Sequence, residues 1–293
     1  MTQVILKLRS RRLMQMNEVC VLLPESPAGQ APSEYFGQNK RYPVLWLLHG
    51  ATWDYSGFLY YDKVEAMLRG KDVMVVIPSG LNSDFANHME FANGYPMTDY
   101  FFEELMPYIF RMFPASTAKE DNYLAGYSMG GAAALMFGLL HPEKFGQVGV
   151  LGSSVRESAF LEPCLDWTGE EFRKAALANP RQFPTEFGNP EGGITRKEIN
   201  MIARYDTVRD YVNSMECTWE RFADAVATGT VPKLLFCCGD RDGCCEKVLA
   251  FKKNAESLGE TGIRYEFIPG YGHDRSDIPL KRAIGLWDAD KAW

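Results

Sequence analysis

The chain has 293 residues, 46% hydrophobic and 24% charged, which is the composition of a soluble globular protein near the upper size for a single hydrophobic core. Its net charge of −7 repels phosphate backbones and anionic headgroups, and no basic run exceeds the short cluster Arg9, Arg11, Arg12, so neither nucleic acid nor membrane is an expected partner. Lys7 and Arg9 interrupt the opening segment before a signal-peptide core could form, and no apolar run reaches membrane-spanning length; a cytoplasmic location is expected.

In chain order, two short apolar stretches, Val4 to Leu8 and Val19 to Leu23, predict an antiparallel strand pair, followed by a surface loop rich in Pro, Gly, Ser and Gln as far as Arg41. From Tyr42 the pattern changes to nearly continuous apolar runs: Val44 to Leu48, Val73 to Ile77, Tyr123 to Ala125, Val148 to Leu151, Leu234 to Cys238 and Tyr265 to Ile268. Runs without polar alternation are those of parallel strands buried on both faces. The stretches between them predict helices over Phe58 to Arg69, Thr98 to Phe113, Met129 to Leu140, Glu246 to Leu258 and Pro279 to Trp287. Strand and helix alternating in this way imply right-handed crossovers and an open, mostly parallel, doubly wound α/β sheet. Residues from roughly Val155 to Thr230 break the rhythm with Pro163, Pro180, Pro184, Pro190 and Gly192-Gly193. They read as a cap-like insertion over the carboxyl ends of the strands, within one domain spanning 1–293.

The seven cysteines are odd in number and include the adjacent pairs Cys237-Cys238 and Cys244-Cys245, which fits a reducing compartment. A metal site made of those four thiols is the alternative, but neighbouring residues of a strand point to opposite faces. Free, partly buried thiols are therefore the expectation, and no metal or organic cofactor is implied.

The chemistry centres on Gly126-Tyr127-Ser128-Met129-Gly130, a G-x-S-x-G placed between a strand run and an Ala-rich helix. Small residues two before and two after let the backbone turn sharply, presenting the Ser128 hydroxyl above a helix N-terminus that favours developing negative charge. A serine nucleophile needs a base, and the chain has four histidines. His273, in Gly270-Tyr271-Gly272-His273-Asp274 after the last strand, is the one placed late enough for the chain order Ser, acid, His. His49, His88 and His141 read instead as a backbone-bonding turn residue, an exposed or pocket-rim side chain and a helix C-terminal cation. The acid should come from the loop Gly239-Asp240-Arg241-Asp242-Gly243, where Asp242 is preferred and Asp240, close to the strand end, is left open. For the oxyanion, Met129 supplies one backbone N–H by position, and the turn His49-Gly50-Ala51-Thr52 supplies the other, from Ala51 with Thr52 in reserve. His49, Thr52, Trp53 and Tyr127 are assigned to the substrate pocket.

These residues together resemble a family of esterases that includes S-formylglutathione hydrolases, antigen 85-like acyltransferases and bacterial tributyrin and acetyl esterases. The matching segments are Pro43 to Gly50, Met67 to Gly70, Glu103 to Pro107, Gly126 to Gly131 and Cys238 to Asp242. The resemblance implies an α/β-hydrolase fold, in which the cap-like insertion read above falls between the sixth and seventh core strands, and a serine carboxylesterase acting through an acyl-enzyme on short acyl groups such as acetyl or butyryl. It also implies that the last residue of a Cys-Gly-x-x-Asp pattern, here Asp242, is the triad acid. Arg275-Ser276 stand where the family commonly has a tryptophan after His-Asp/Glu, and Trp53 stands where it commonly has a small residue, which bears on pocket shape. The rival readings are an S-formylglutathione hydrolase-type thioesterase and a non-catalytic binding protein of the same fold. The expected partner is a small-molecule ester, and a homo-oligomer is left open.

Overall fold

The computed structural model describes residues 1–36, 39–88, 94–183 and 193–290. Eight strands form the main sheet: β1 (Thr2–Ser10), β2 (Gln15–Leu23), β3 (Val44–Leu48), β4 (Met74–Pro78), β5 (Asn122–Tyr127), β6 (Gln147–Leu151), β7 (Leu234–Gly239) and β8 (Arg264–Ile268). Their spatial order is β1-β2-β4-β3-β5-β6-β7-β8. β1 and β2 are an antiparallel hairpin, β2 is antiparallel to β4, and every pairing from β4 to β8 is parallel. The reversal between β3 and β4 puts the first crossover beside β5, and a topological switch of this kind opens a crevice at the strands' carboxyl ends.

All residues of β3, β4 and β5 are buried, as continuous apolar runs require, whereas β1 at the sheet edge alternates between half-buried and exposed positions. The hairpin turn is pinned by Glu104, whose carboxylate accepts from Ser10 Oγ at 2.5 Å and from the N–H groups of Arg11 and Arg12 at 2.9 and 3.1 Å. One face of the sheet packs Trp46, Phe101, Phe137 and Phe236 into a core; the other packs Phe58, Leu235, Leu280 and Trp287.

The helices Met129–Leu140, Cys245–Ser257 and Asp277–Ala289 lie close to their expected positions. Three expectations are corrected. Phe58 to Arg69 is two short helices, Gly57–Tyr60 and Val64–Met67, because Lys63 at φ 55° leaves the right-handed region and breaks the ladder between them. The stretch expected over Thr98 to Phe113 is helical over Met97–Met112 but widens into a π-helical stretch at Tyr100–Leu105. The expected surface loop contains the helix Pro32–Phe36, anchored where buried Tyr35 donates its hydroxyl to Asp72 at 2.5 Å.

The insertion follows β6 and builds its own small core from Leu161, Phe172, Ile199, Ile202 and Tyr211. Its helices Gly169–Ala178, Arg196–Ala203 and Val208–Val212 each begin at a threonine whose hydroxyl accepts the N–H three residues on, Thr168, Thr195 and Thr207. The next helix, Thr218–Thr228, belongs elsewhere: Phe222 enters the main core, so the part of the expected cap nearest β7 is an ordinary crossover helix. Pro184, Pro190 and Gly192 lie outside the described residues.

Candidate active site

Ser128 sits at φ 54°, ψ −116°, between the end of β5 and the helix Met129–Leu140. A positive φ at a non-glycine residue is strained and survives only where its surroundings fix it. Here the Ser128 N–H donates to the Leu151 carbonyl at 2.9 Å, and the Ser128 carbonyl accepts from the N–H groups of Gly131 and Ala132 at 2.9 and 3.1 Å. The two glycines of the motif are required by contact: a Cβ on Gly126 would lie 2.0 Å from the Gly130 carbonyl oxygen, and one on Gly130 would lie 2.0 Å from that of Leu48.

His273, in the loop after β8, places Nε2 2.9 Å from Ser128 Oγ and Nδ1 3.0 and 3.1 Å from the two oxygens of Asp242. Asp242 is buried and also accepts the Cys244 N–H at 3.0 Å. Burial alone would raise its carboxyl pKa, but the bonds from His273 and Cys244 outweigh this and hold it below the ordinary range, so it stays ionised. Asp240 is turned away: it accepts the Gly270 N–H at 2.7 Å and thereby ties the β7 loop to the loop that carries His273. Asp274, next to the histidine, is exposed.

Behind the imidazole the rings are stacked. Tyr127 lies 5.1 Å from His273 at 27°, Trp53 lies 6.1 Å from Tyr127 at 21°, and Tyr61 lies 5.1 Å from Trp53 at 22°. The Tyr127 hydroxyl donates to the His273 backbone carbonyl. Burial, and then the nearby Asp242 charge, push that phenol above its ordinary range, so it remains a donor. Trp53 and Tyr127, expected in the substrate pocket, form with Tyr61 a stacked column against the His273 ring.

His49 is likewise corrected from pocket residue to interior strap. It is fully buried; its Nε2 accepts the Gly80 N–H at 2.8 Å, which leaves Nδ1–H to donate to the Gly50 carbonyl at 2.7 Å. Burial lowers its pKa and keeps the ring neutral, as that tautomer needs. The Gly50 carbonyl and the Ala51 N–H share one trans peptide and point in opposite directions. Fixing the carbonyl therefore aims the N–H. The Thr52 N–H is already taken by Asn82 Oδ1 at 2.7 Å. Met129 is the first residue of its helix, where N–H groups have no intrahelical acceptor.

Ser128, Met129, Asp242 and His273 line a cavity of about 180 Å³. Ala51 and Thr52 line an adjoining space of about 650 Å³ that also reaches His88 and the insertion. The wall shared by both carries two residues that the sequence did not single out, Asp84 and Lys197, and the smaller cavity adds a third, Arg156. They come from three segments separated by 72 and 113 residues, and no local pattern links them.

All seven cysteines are free, and Cys237 and Cys238 do enter the cores on opposite faces of the sheet. Among the described residues no group of three or more His, Cys, Asp or Glu side chains is arranged to hold a metal ion. No helix among them is long and apolar enough to cross a membrane.

The model of the putative esterase family matches residues 27–227. An acetyl esterase of Caldicellulosiruptor saccharolyticus is 25% identical over 239 residues, covering 80% of this chain and 78% of that protein. Among solved structures, a substrate-bound fluorophosphonate-binding serine hydrolase of Staphylococcus aureus superposes with a TM-score of 0.70 at 23% identity, covering 97% of both chains. An S-formylglutathione hydrolase of the same organism gives 0.68 at 24%, covering 97% of this chain and 98% of the other. With the family model spanning more than half of the sequence and the fold shared from end to end, the chain belongs to the putative esterase family and is a serine ester hydrolase on an α/β-hydrolase fold.

Proposed function

We propose that the protein is a carboxylesterase that cleaves short-chain acyl esters in two steps through an acyl-enzyme on Ser128. The observation that carries this reading is the chain of contacts from Ser128 Oγ to His273 Nε2 at 2.9 Å and from His273 Nδ1 to Asp242 at 3.0 Å. His273 takes the serine proton as the hydroxyl attacks the ester carbonyl, Asp242 stabilises the imidazolium, and the N–H groups of Met129 and Ala51 receive the oxyanion. The imidazolium then protonates the leaving alcohol, and water activated by the same ring releases the acid. The similarity to an acetyl esterase over 80% of this chain supports a short acyl group. The helices from Gly169 to Val212 serve as the cap of this single domain, and seven free thiols support the cytoplasmic assignment.

The test is Ser128→Ala assayed on a panel of 4-nitrophenyl esters of increasing acyl length, with fluorophosphonate labelling alongside. Wild type should be labelled and should prefer the short esters, and Ser128→Ala should lose both labelling and on the order of 10⁴ or more in rate. A folded Ser128→Ala protein that turns over esters at the wild-type rate removes the reading.

A further inference from the structure

The turn that follows β3 is held in a conformation that its own residues disfavour. It runs from Gly50 to Trp53, closes with the Trp53 N–H donating to the Gly50 carbonyl at 3.4 Å, and has its third residue, Thr52, at φ 68°. Glycine is what a turn favours at such a position, and a β-branched side chain at positive φ is an outlier that only its surroundings can maintain. The turn abuts the nucleophile: a Cβ on Gly50 would lie 3.7 Å from the Ser128 Cβ.

Two side chains fasten this turn to the loop after β4. His49 bridges the Gly80 N–H, 2.8 Å from Nε2, and the Gly50 carbonyl, 2.7 Å from Nδ1. Asn82 Oδ1 accepts the Thr52 N–H at 2.7 Å. The peptide that carries the Ala51 N–H is therefore gripped through its carbonyl, and the next peptide through its N–H. The loop that does the gripping is itself fixed. Leu81, Asp84 and Phe85 are left-handed at φ 50°, 54° and 55°. The Ser83 hydroxyl donates to the Gly80 carbonyl at 2.5 Å and accepts the Phe85 N–H at 3.1 Å. The Phe85 ring lies 5.3 Å from that of His49 at 62°, and it fills the space at Gly80, where a Cβ would meet Phe85 Cζ at 2.3 Å. Strain on both sides of one contact persists where it positions a functional group.

Resting on the esterase reading, we propose that the loop after β4 is the mould of the oxyanion hole, and that His49 and Asn82 are positioning residues that aim the Ala51 N–H by fixing its own peptide and the next. A donor aimed beforehand needs no reorganisation when the negative charge develops, and such a mould provides that.

The experiment reads the hole with two probes, hydrolysis of 4-nitrophenyl acetate and inhibition by trifluoroacetone. The ketone's carbonyl carbon bonds to Ser128 Oγ, the serine proton passes to His273, and the carbonyl oxygen becomes the anion that the hole must hold. Asn82→Ala, at an exposed position, should lower kcat about five-fold with KM nearly unchanged, the effect of one hydrogen bond. It should raise the inhibition constant of the ketone by the same factor. His49→Gln should lower kcat about ten-fold or more, towards the loss on the order of 10²–10³ that follows removal of an oxyanion donor; if it does not fold, Asn82→Ala decides. Adding Thr52→Gly to Asn82→Ala should bring both readouts to within about two-fold of Thr52→Gly alone, since glycine holds a positive φ without the amide. A bond of purely structural worth would lower the thermal midpoint and leave the ketone's inhibition constant as in wild type. Asn82→Ala protein that matches wild type with both probes overturns the inference alone, as does a double variant no better than Asn82→Ala. Wild-type protein that neither hydrolyses the ester nor binds the ketone ends the esterase reading, and the mould with it.

Discussion

Replacing Asp242 with Asn tests the geometry at its most specific point, because the two side chains have the same shape and differ only in what they can accept. In the wild type both carboxylate oxygens lie 3.0–3.1 Å from His273 Nδ1, so that nitrogen carries the proton and Nε2 presents a lone pair to Ser128 Oγ at 2.9 Å. In Asp242→Asn the amide oxygen can still accept the Cys244 N–H, now 3.0 Å away, which turns the amide NH₂ towards Nδ1. The favoured tautomer then protonates Nε2, which can no longer take the serine proton. Loss of the correct tautomer together with the charge that stabilises the imidazolium costs on the order of 10²–10⁴ in kcat, or about 3–5 kcal/mol of barrier. KM should change little, since the ester does not touch the acid. The assay is steady-state hydrolysis of a short 4-nitrophenyl ester at neutral pH, run beside Asp240→Asn, whose side-chain oxygen can go on accepting the Gly270 N–H. Asp240→Asn should stay within a few-fold of wild type with a thermal midpoint lowered by no more than about 1 kcal/mol in stability. The reasoning is refuted if Asp242→Asn retains wild-type kcat or if Asp240→Asn is the inactive variant.

Tyr127→Phe keeps the ring under His273 but removes the hydroxyl donated to its carbonyl; a bond worth about 1 kcal/mol predicts roughly a five-fold fall in kcat with KM nearly unchanged, and an unaltered kcat would dismiss the support role. Gly130→Ala drives a methyl to 2.0 Å from the Leu48 carbonyl oxygen, so backbone must move; a loss on the order of 1–3 kcal/mol should appear as a lower thermal midpoint, and an unshifted midpoint would contradict the packing. Asp62 is buried, accepts the Ser276 hydroxyl at 2.6 Å through one oxygen only, and has its pKa raised, chiefly by burial, to about 6. Because the folded state then holds the proton more tightly than an unfolded carboxyl with pKa about 3.9, this residue's contribution is fully present below about pH 4 and is lost as pH rises to about 6. Thermal midpoints of wild type should therefore fall relative to those of Asp62→Asn between pH 4.5 and 7, and parallel profiles would rule the assignment out.

Elements that depend on local pattern were legible in the chain. The runs Val44 to Leu48 and Leu234 to Cys238 are buried strands because nothing but a two-sided core accepts unbroken apolar residues, and Ser128 announced itself through glycines whose Cβ atoms have no room. His273 followed from its place after the last strand. The break at Lys63 and the π-helical stretch at Tyr100–Leu105 were not legible, since both depend on how the surrounding core holds a backbone that propensity would have run straight. The Cys-Gly-x-x-Asp resemblance favours Asp242 over Asp240, but two aspartates two residues apart have the same chemistry, and only the loop's path shows one turned to His273 and the other to Gly270. Aromatic residues such as Trp53 and Tyr127 could equally wall a pocket or brace a side chain, and His49 could face a ligand or the interior; composition is silent on direction. The Asp84, Arg156 and Lys197 cluster was beyond reach altogether, because charges far apart in sequence acquire a joint meaning only when a loop and an inserted helix are folded over the same serine.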